Sequence, residues 1–117
     1  MDITSERQRV GTMPDFRKTD CFEEWLEKLN DKRAVQRIRA RILLAENGDF
    51  SDCKSVGDGV SEMRIHYGTG YRLYYCQRGK QVYLLLIGAK KNTEKLQTQD
   101  IKRAKAIKRE AEETNRW

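Results

Sequence analysis

Arg64, His66 and Arg72 are the residues of this sequence best suited to chemistry. Arg64 and His66 are two positions apart, a spacing that puts both on one face of a β-strand. Gly68-Thr69-Gly70 makes a turn, so the run from Tyr71 onward returns beside them and brings Arg72 and Tyr74 to the same face. Guanidinium groups hold a phosphate and stabilise the extra negative charge of a phosphoryl transition state. An imidazole moves protons near neutral pH. In RNA the adjacent 2′-hydroxyl is itself a nucleophile, so such a patch needs no protein nucleophile and no metal. Tyr74 suits stacking on a base, and Lys54, Lys90 and Lys91 lie where they add positive charge around the same site.

Taken singly, these residues have ordinary explanations. Arginines on the open face of an antiparallel sheet are usually solvated. A lone histidine is more often a surface or packing residue than a catalyst. Tyr67, Tyr71 and Tyr75 suit sheet packing, and Arg33, Arg37 and Arg41 read as a solvated helix face. What points to function is that Arg64, His66 and Arg72 fall together on one expected face.

The elements that must position them follow from periodicity. A short strand is expected at Asp15 to Lys18. A helix then starts near Thr19 or Asp20, either of which can cap it, and carries Phe22, Trp25, Leu26 and Leu29 on one stripe. Asn30-Asp31 breaks it. A second helix is expected from Lys32 to Glu46, with Val35, Ile38 and Ile42 on its apolar face and Asn47-Gly48 as its stop. The two form a helical hairpin. A first strand of the meander falls at Cys53 to Val56. Val60 to Tyr67 and Tyr71 to Gln77 then alternate, and Gln81 to Ile87 is apolar on both faces, as a central strand is. A last helix is expected from about Thr98 to Glu113, with Ile101, Ala104, Ile107 and Ala111 on one side. Helices followed by a run of strands make an α+β fold: a small twisted antiparallel sheet with the helical hairpin on one face and a C-terminal helix. The other face is expected to carry the basic side chains.

The length of 117 residues fits one domain, read as residues 13–117 behind a polar extension at residues 1–12. The formal net charge is +6, and from Val60 to Lys91 six bases face a single acid, Glu62. Such an excess suits a polyanion or an acidic protein partner, or else a basic surface that keeps the protein soluble. Cys21, Cys53 and Cys76 are odd in number and form no metal-type or redox-type pair; they read as reduced thiols. With one histidine, a His-based metal site is not expected, nor is any cofactor. No run resembles a signal peptide or a membrane span, so a cytoplasmic protein with no membrane partner is expected.

The run from Val56 to Tyr75, which contains Gly59-Val60-Ser61-Glu62-Met63-Arg64-Ile65-His66-Tyr67-Gly68-Thr69-Gly70-Tyr71-Arg72-Leu73-Tyr74-Tyr75, resembles the RelE/ParE superfamily of toxins. Within it, the likeness is to the phage Gp49-like, HigB-type addiction-module killer proteins. Lys90-Lys91-Asn92-Thr93, Gln97-Thr98-Gln99-Asp100-Ile101 and the Thr19-Asp20-Cys21-Phe22 opening with Trp25 and Leu26 belong to the same likeness, which covers about residues 14 to 111. It implies a twisted antiparallel sheet with two N-terminal helices packed on it. It also implies the toxin of a type II toxin–antitoxin system, a metal-independent endoribonuclease that cuts mRNA on the ribosome. By the same resemblance Arg72 is the arginine that holds the scissile phosphate, Arg64 and His66 fall near two lysines of RelE-type toxins, and Lys90 or Lys91 is the basic residue after the last strand. This chain departs from the pattern in having arginine and histidine for those lysines and no tyrosine in residues 98–116.

ParE-type members share the fold and poison DNA gyrase, so fold alone does not separate a nuclease from a gyrase poison or from a non-catalytic relative that only binds its antitoxin. All three readings imply a cognate antitoxin, expected to be a small helix-turn-helix protein. The nuclease reading adds the ribosome and mRNA as partners.

Overall fold

The computed structural model describes residues 13–114. The expected extension at residues 1–12 lies outside the described residues. Strands β1 (Asp15–Lys18), β2 (Cys53–Gly57), β3 (Val60–Ile65), β4 (Tyr71–Arg78) and β5 (Val82–Lys90) form one sheet in the order β1-β5-β4-β3-β2. Strands β2 to β5 make the expected antiparallel meander. The short β1 adds to its far edge in parallel with β5, so the sheet is mixed rather than wholly antiparallel.

Helix α1 (Asp20–Glu27) begins where Thr19 makes two bonds at once. Its Oγ1 accepts from the Phe22 N–H at 3.0 Å and donates to the Leu86 carbonyl at 2.7 Å, which fastens the helix start to β5. Helix α2 (Lys32–Glu46) has the expected bounds, with the Asp31 carboxylate accepting from the Arg33 and Ala34 N–H groups. Gly48, at φ 96°, follows its C-cap in the left-handed conformation that ends helices. Phe22 and Leu26 of α1 and Ala34, Ile38, Ile42 and Ala45 of α2 bury against Met63, Ile65, Tyr71, Leu73, Tyr75 and Leu85 of the sheet. At Gly88, α1 packs tightly on the sheet: any Cβ there would overlap the Trp25 ring. Gly88→Ala should therefore cost about 2 kcal/mol through overpacking, read as a lower urea midpoint with an unchanged slope.

The last helix, α3 (Glu94–Thr114), starts earlier than the apolar period suggests, because Thr93 caps it with Oγ1 accepting from the Leu96 N–H at 3.3 Å. Ala104, with Ile101, Ile107 and Ala111, packs on Val60, Tyr74, Cys76, Leu84, Leu86 and Ile87. These are the sheet residues that point away from α1 and α2. The face expected to lie open with basic side chains is thus largely roofed by α3.

That second core has a chemical consequence. Burial pushes the Cys76 thiol up from 9.0 to about 12. Burial, followed by the charge of Glu62, pushes the Tyr74 phenol up from 10.0 to about 12. Both groups keep their protons in the folded protein at pH values where an unfolded chain has lost them. Their contribution to stability is therefore complete below about pH 9 and is lost between about pH 9 and 12. A series of urea midpoints should be level up to pH 9 and fall beyond it; a midpoint unchanged at pH 11 would contradict the burial of these two groups.

Candidate active site

Strands β3 and β4 pair so that Arg64 lies directly opposite Arg72. Two like charges in that position repel, and an acid on the same face answers them. Glu62, two residues before Arg64, is 1% exposed. Its Oε1 is 3.9 Å from Arg64 Nε and its Oε2 is 3.6 Å from Arg72 Nε. Gln97 of α3 donates its Nε2–H to Oε2 at 3.3 Å. The Arg64 and Arg72 Nε atoms are buried and have no hydrogen-bond partner, so these are charge contacts without hydrogen-bond alignment.

A second carboxylate continues the chain. Asp52, just before β2, places Oδ1 3.2 Å from Arg64 Nε, and its Oδ2 bonds His66 Nε2. Its carbonyl accepts from the Arg64 N–H at 3.2 Å. Cations and anions therefore alternate along the rim of the sheet as Arg72, Glu62, Arg64 and Asp52, with the His66 ring at the end of the row. The local excess of bases seen in the sequence is thus largely balanced at its centre.

The expected site residues come together only in part. Arg64 and Arg72 come together with His66, although β3 ends at Ile65 and it is Asp52, rather than strand alternation, that links the ring to Arg64. Lys54 pairs with Glu62 across β2 and β3, one row below the arginines on their face, and is exposed. Lys91 bonds the Gly70 carbonyl through its N–H at 2.9 Å and stays exposed beside the turn that precedes Arg72.

Lys90 and Tyr74 stand elsewhere. Lys90 pairs with Tyr71, which points into the core under α1 and α2, so it shares the face opposite to Arg72. Tyr74 lies on the expected face but is completely buried beneath α3, with no partner for its hydroxyl. It offers no ring surface for a base, and the stacking role expected of it is withdrawn. The Arg33, Arg37 and Arg41 row is also more than a solvated face. The Arg37 guanidinium sits 5.2 Å from the centre of the Tyr67 ring, and Arg41 donates to the Asp49 carbonyl at 3.0 Å.

Asp52, Gln97 and the bridging role of Glu62 escaped the sequence reading. Glu62 had a signal: it is the one acid in the basic stretch and shares the strand face of Arg64. Asp52 and Gln97 had none, since each comes from a segment outside the β3–β4 hairpin. Among the described residues, no group of three or more His, Cys, Asp or Glu side chains is placed to hold a metal ion. No helix among them is long and apolar enough to cross a membrane.

The family model described as phage-derived protein Gp49-like matches residues 24–109. An uncharacterised protein of Haemophilus influenzae is 43% identical over 95 residues, which is 81% of this chain and 93% of that protein. Among solved structures, a mutant of the E. coli toxin RelE in the free state superposes with a TM-score of 0.59 at 15% identity, covering 78% of this chain and 97% of that one. The isolated E. coli RelE toxin superposes with a TM-score of 0.53 at 17% identity, covering 77% and 97%. At those identities the likeness to RelE is one of fold.

Proposed function

The chain belongs to the phage-derived Gp49-like family, and from that premise we propose that it is the toxin of a toxin–antitoxin pair, an endoribonuclease that cuts mRNA on the ribosome. The observation that carries the reading is the Arg64–Arg72 pair, set directly opposite on adjacent strands with the lone histidine joined to it through Asp52. The fold shared with RelE toxins supports it.

In this mechanism Arg72 and Arg64 hold the scissile phosphate and stabilise its added charge. Lys54 and Lys91 strengthen attraction to the RNA backbone. His66 takes the proton of the 2′-hydroxyl, whose oxygen attacks phosphorus. The bond from phosphorus to the 5′-oxygen breaks, and that oxygen takes a proton from water, leaving a 2′,3′-cyclic phosphate and a 5′-hydroxyl. In this reading the protein acts in the cytoplasm, where message is translated. Its antitoxin, a small helix-turn-helix protein in this reading, would cover the arginine rim with an acidic segment.

The test is expression in growing bacteria with mRNA 5′ ends mapped shortly after induction. New ends confined to translated regions are expected. Growth arrest with intact message would overturn the nuclease reading in favour of a target such as gyrase, and no arrest at all would leave an antitoxin-binding protein.

A further inference from the structure

Asp52 sits at φ 59°, in the left-handed region that aspartate and asparagine enter more readily than other residues with a Cβ. Their short polar side chains hold such a position through local contacts. Here the contacts are specific. One carboxylate oxygen meets Arg64 Nε, the other bonds His66 Nε2, and the Asp52 carbonyl accepts from the Arg64 backbone. The His66 side chain is otherwise 76% exposed and lies beyond the end of β3. Among the described residues Asp52 is the one hydrogen-bond partner of its ring.

We propose that Asp52 is the positioning residue of this site, holding the neutral His66 ring with its proton on Nε2 so that Nδ1 is the basic atom presented to RNA. The proposal rests on the nuclease reading given above. A neutral imidazole has one donor and one acceptor nitrogen, while an ionised carboxylate only accepts. The nitrogen that faces Asp52 must therefore carry the hydrogen. The lone pair on Nδ1 is left to receive the 2′-hydroxyl proton. The same carboxylate lies against the Nε edge of Arg64 and the Asp52 carbonyl holds the Arg64 backbone, so one residue ties the proton acceptor to a phosphate-binding group. The charged groups around the ring are Asp52 itself and Arg64 behind it, with Glu62 on the far side of Arg64.

Asp52→Asn and Asp52→Gly separate positioning from folding, because asparagine and glycine both accept a positive φ. In Asp52→Asn, the amide oxygen stays with Arg64, which can only donate. The amide NH2 then faces His66 Nε2 and turns that nitrogen into an acceptor, which moves the ring proton to Nδ1. The chain has a single histidine, so the ring nitrogen signals of 15N-labelled protein need no assignment. The wild-type neutral ring should show Nε2–H, Asp52→Asn should show Nδ1–H, and Asp52→Gly should show a mixture of the two. Cleavage of message on programmed ribosomes should fall by about 100-fold in both variants, the lower range of what a positioned acid or base contributes.

A wild-type ring protonated on Nδ1, or a tautomer and cleavage rate indifferent to Asp52→Asn, would overturn the proposal. Failure of the nuclease reading looks different: a tautomer that responds to Asp52 in a protein that cuts no RNA sustains the positioning and removes the reaction.

Discussion

Glu62→Gln should lose about 3 kcal/mol of folding stability, the lower end of what removing one partner of a buried ion pair costs. For a protein of this size that is a fall of about 12 °C in melting temperature. The argument starts from Arg64 and Arg72, which stand directly opposite one another with the Glu62 carboxylate as the charge between them. Glutamine keeps the shape and an acceptor for Gln97 but leaves the two guanidinium groups to repel, and Arg72 is only 14% exposed to solvent. The lower end of the range applies because Arg64 is 37% exposed and retains Asp52. A second readout should move the other way: with its counter-charge gone, the rim should bind a short RNA more tightly at low salt, with a steeper dependence on salt concentration. Thermal unfolding and a salt titration of RNA binding check both. Unchanged stability would mean that Glu62 is not the charge that holds the arginines together.

Arg72→Lys should reduce message cleavage by roughly 10²–10³-fold while stability changes little, the loss typical of removing one donor aimed at a developing negative charge. Lysine preserves a cation beside the buried Glu62. It lacks the planar fork that binds two phosphate oxygens at once. Arg72→Ala is a poorer probe, because it strands the Glu62 carboxylate with Arg64 at 3.9 Å as its nearest remaining cation and so mixes folding with function. Single-turnover cleavage on ribosomes, set beside urea unfolding of the same preparations, separates the two. A lysine variant that cuts at the wild-type rate would remove Arg72 from phosphate binding.

The parts of the fold that were legible in the sequence are those fixed by local signals. Asp31 and Asn47-Gly48 bounded α2, and alternation placed Glu62, Arg64, Arg72 and Tyr74 on a common face. What alternation cannot supply is what lies over a face. Tyr74 is on the expected side and yet is closed off, because Ala104 and its neighbours on α3 settle against that side. The early start of α3 was hidden by its polar first turns, where Thr93 caps a stretch with no buried residue before Ala104. The site was legible to the same degree. Arg64 opposite Arg72 follows from a hairpin register, a short-range matter. Asp52 reaches His66 across 14 positions and Gln97 reaches Glu62 across 35, and no local pattern encodes either. The parallel pairing of β1 was invisible for a similar reason, since four residues specify too little to choose a partner.

That pairing also bears on the order in which the protein can assemble during synthesis. The Thr19 side chain bonds the Leu86 carbonyl across 67 positions of sequence, so β1 and the start of α1 emerge first but are not fastened until β5 has followed. The hairpins of β2 to β5 join neighbours and can form as they appear, whereas closure by β1 must wait for a distant contact. A nascent chain halted before β5 would hold Arg64 beside Arg72 on an unfinished sheet, with the start of α1 and the open edge of β4 still uncovered. Quality control by chaperones and proteases would meet the protein at that stage, when its apolar surface is most exposed to aggregation.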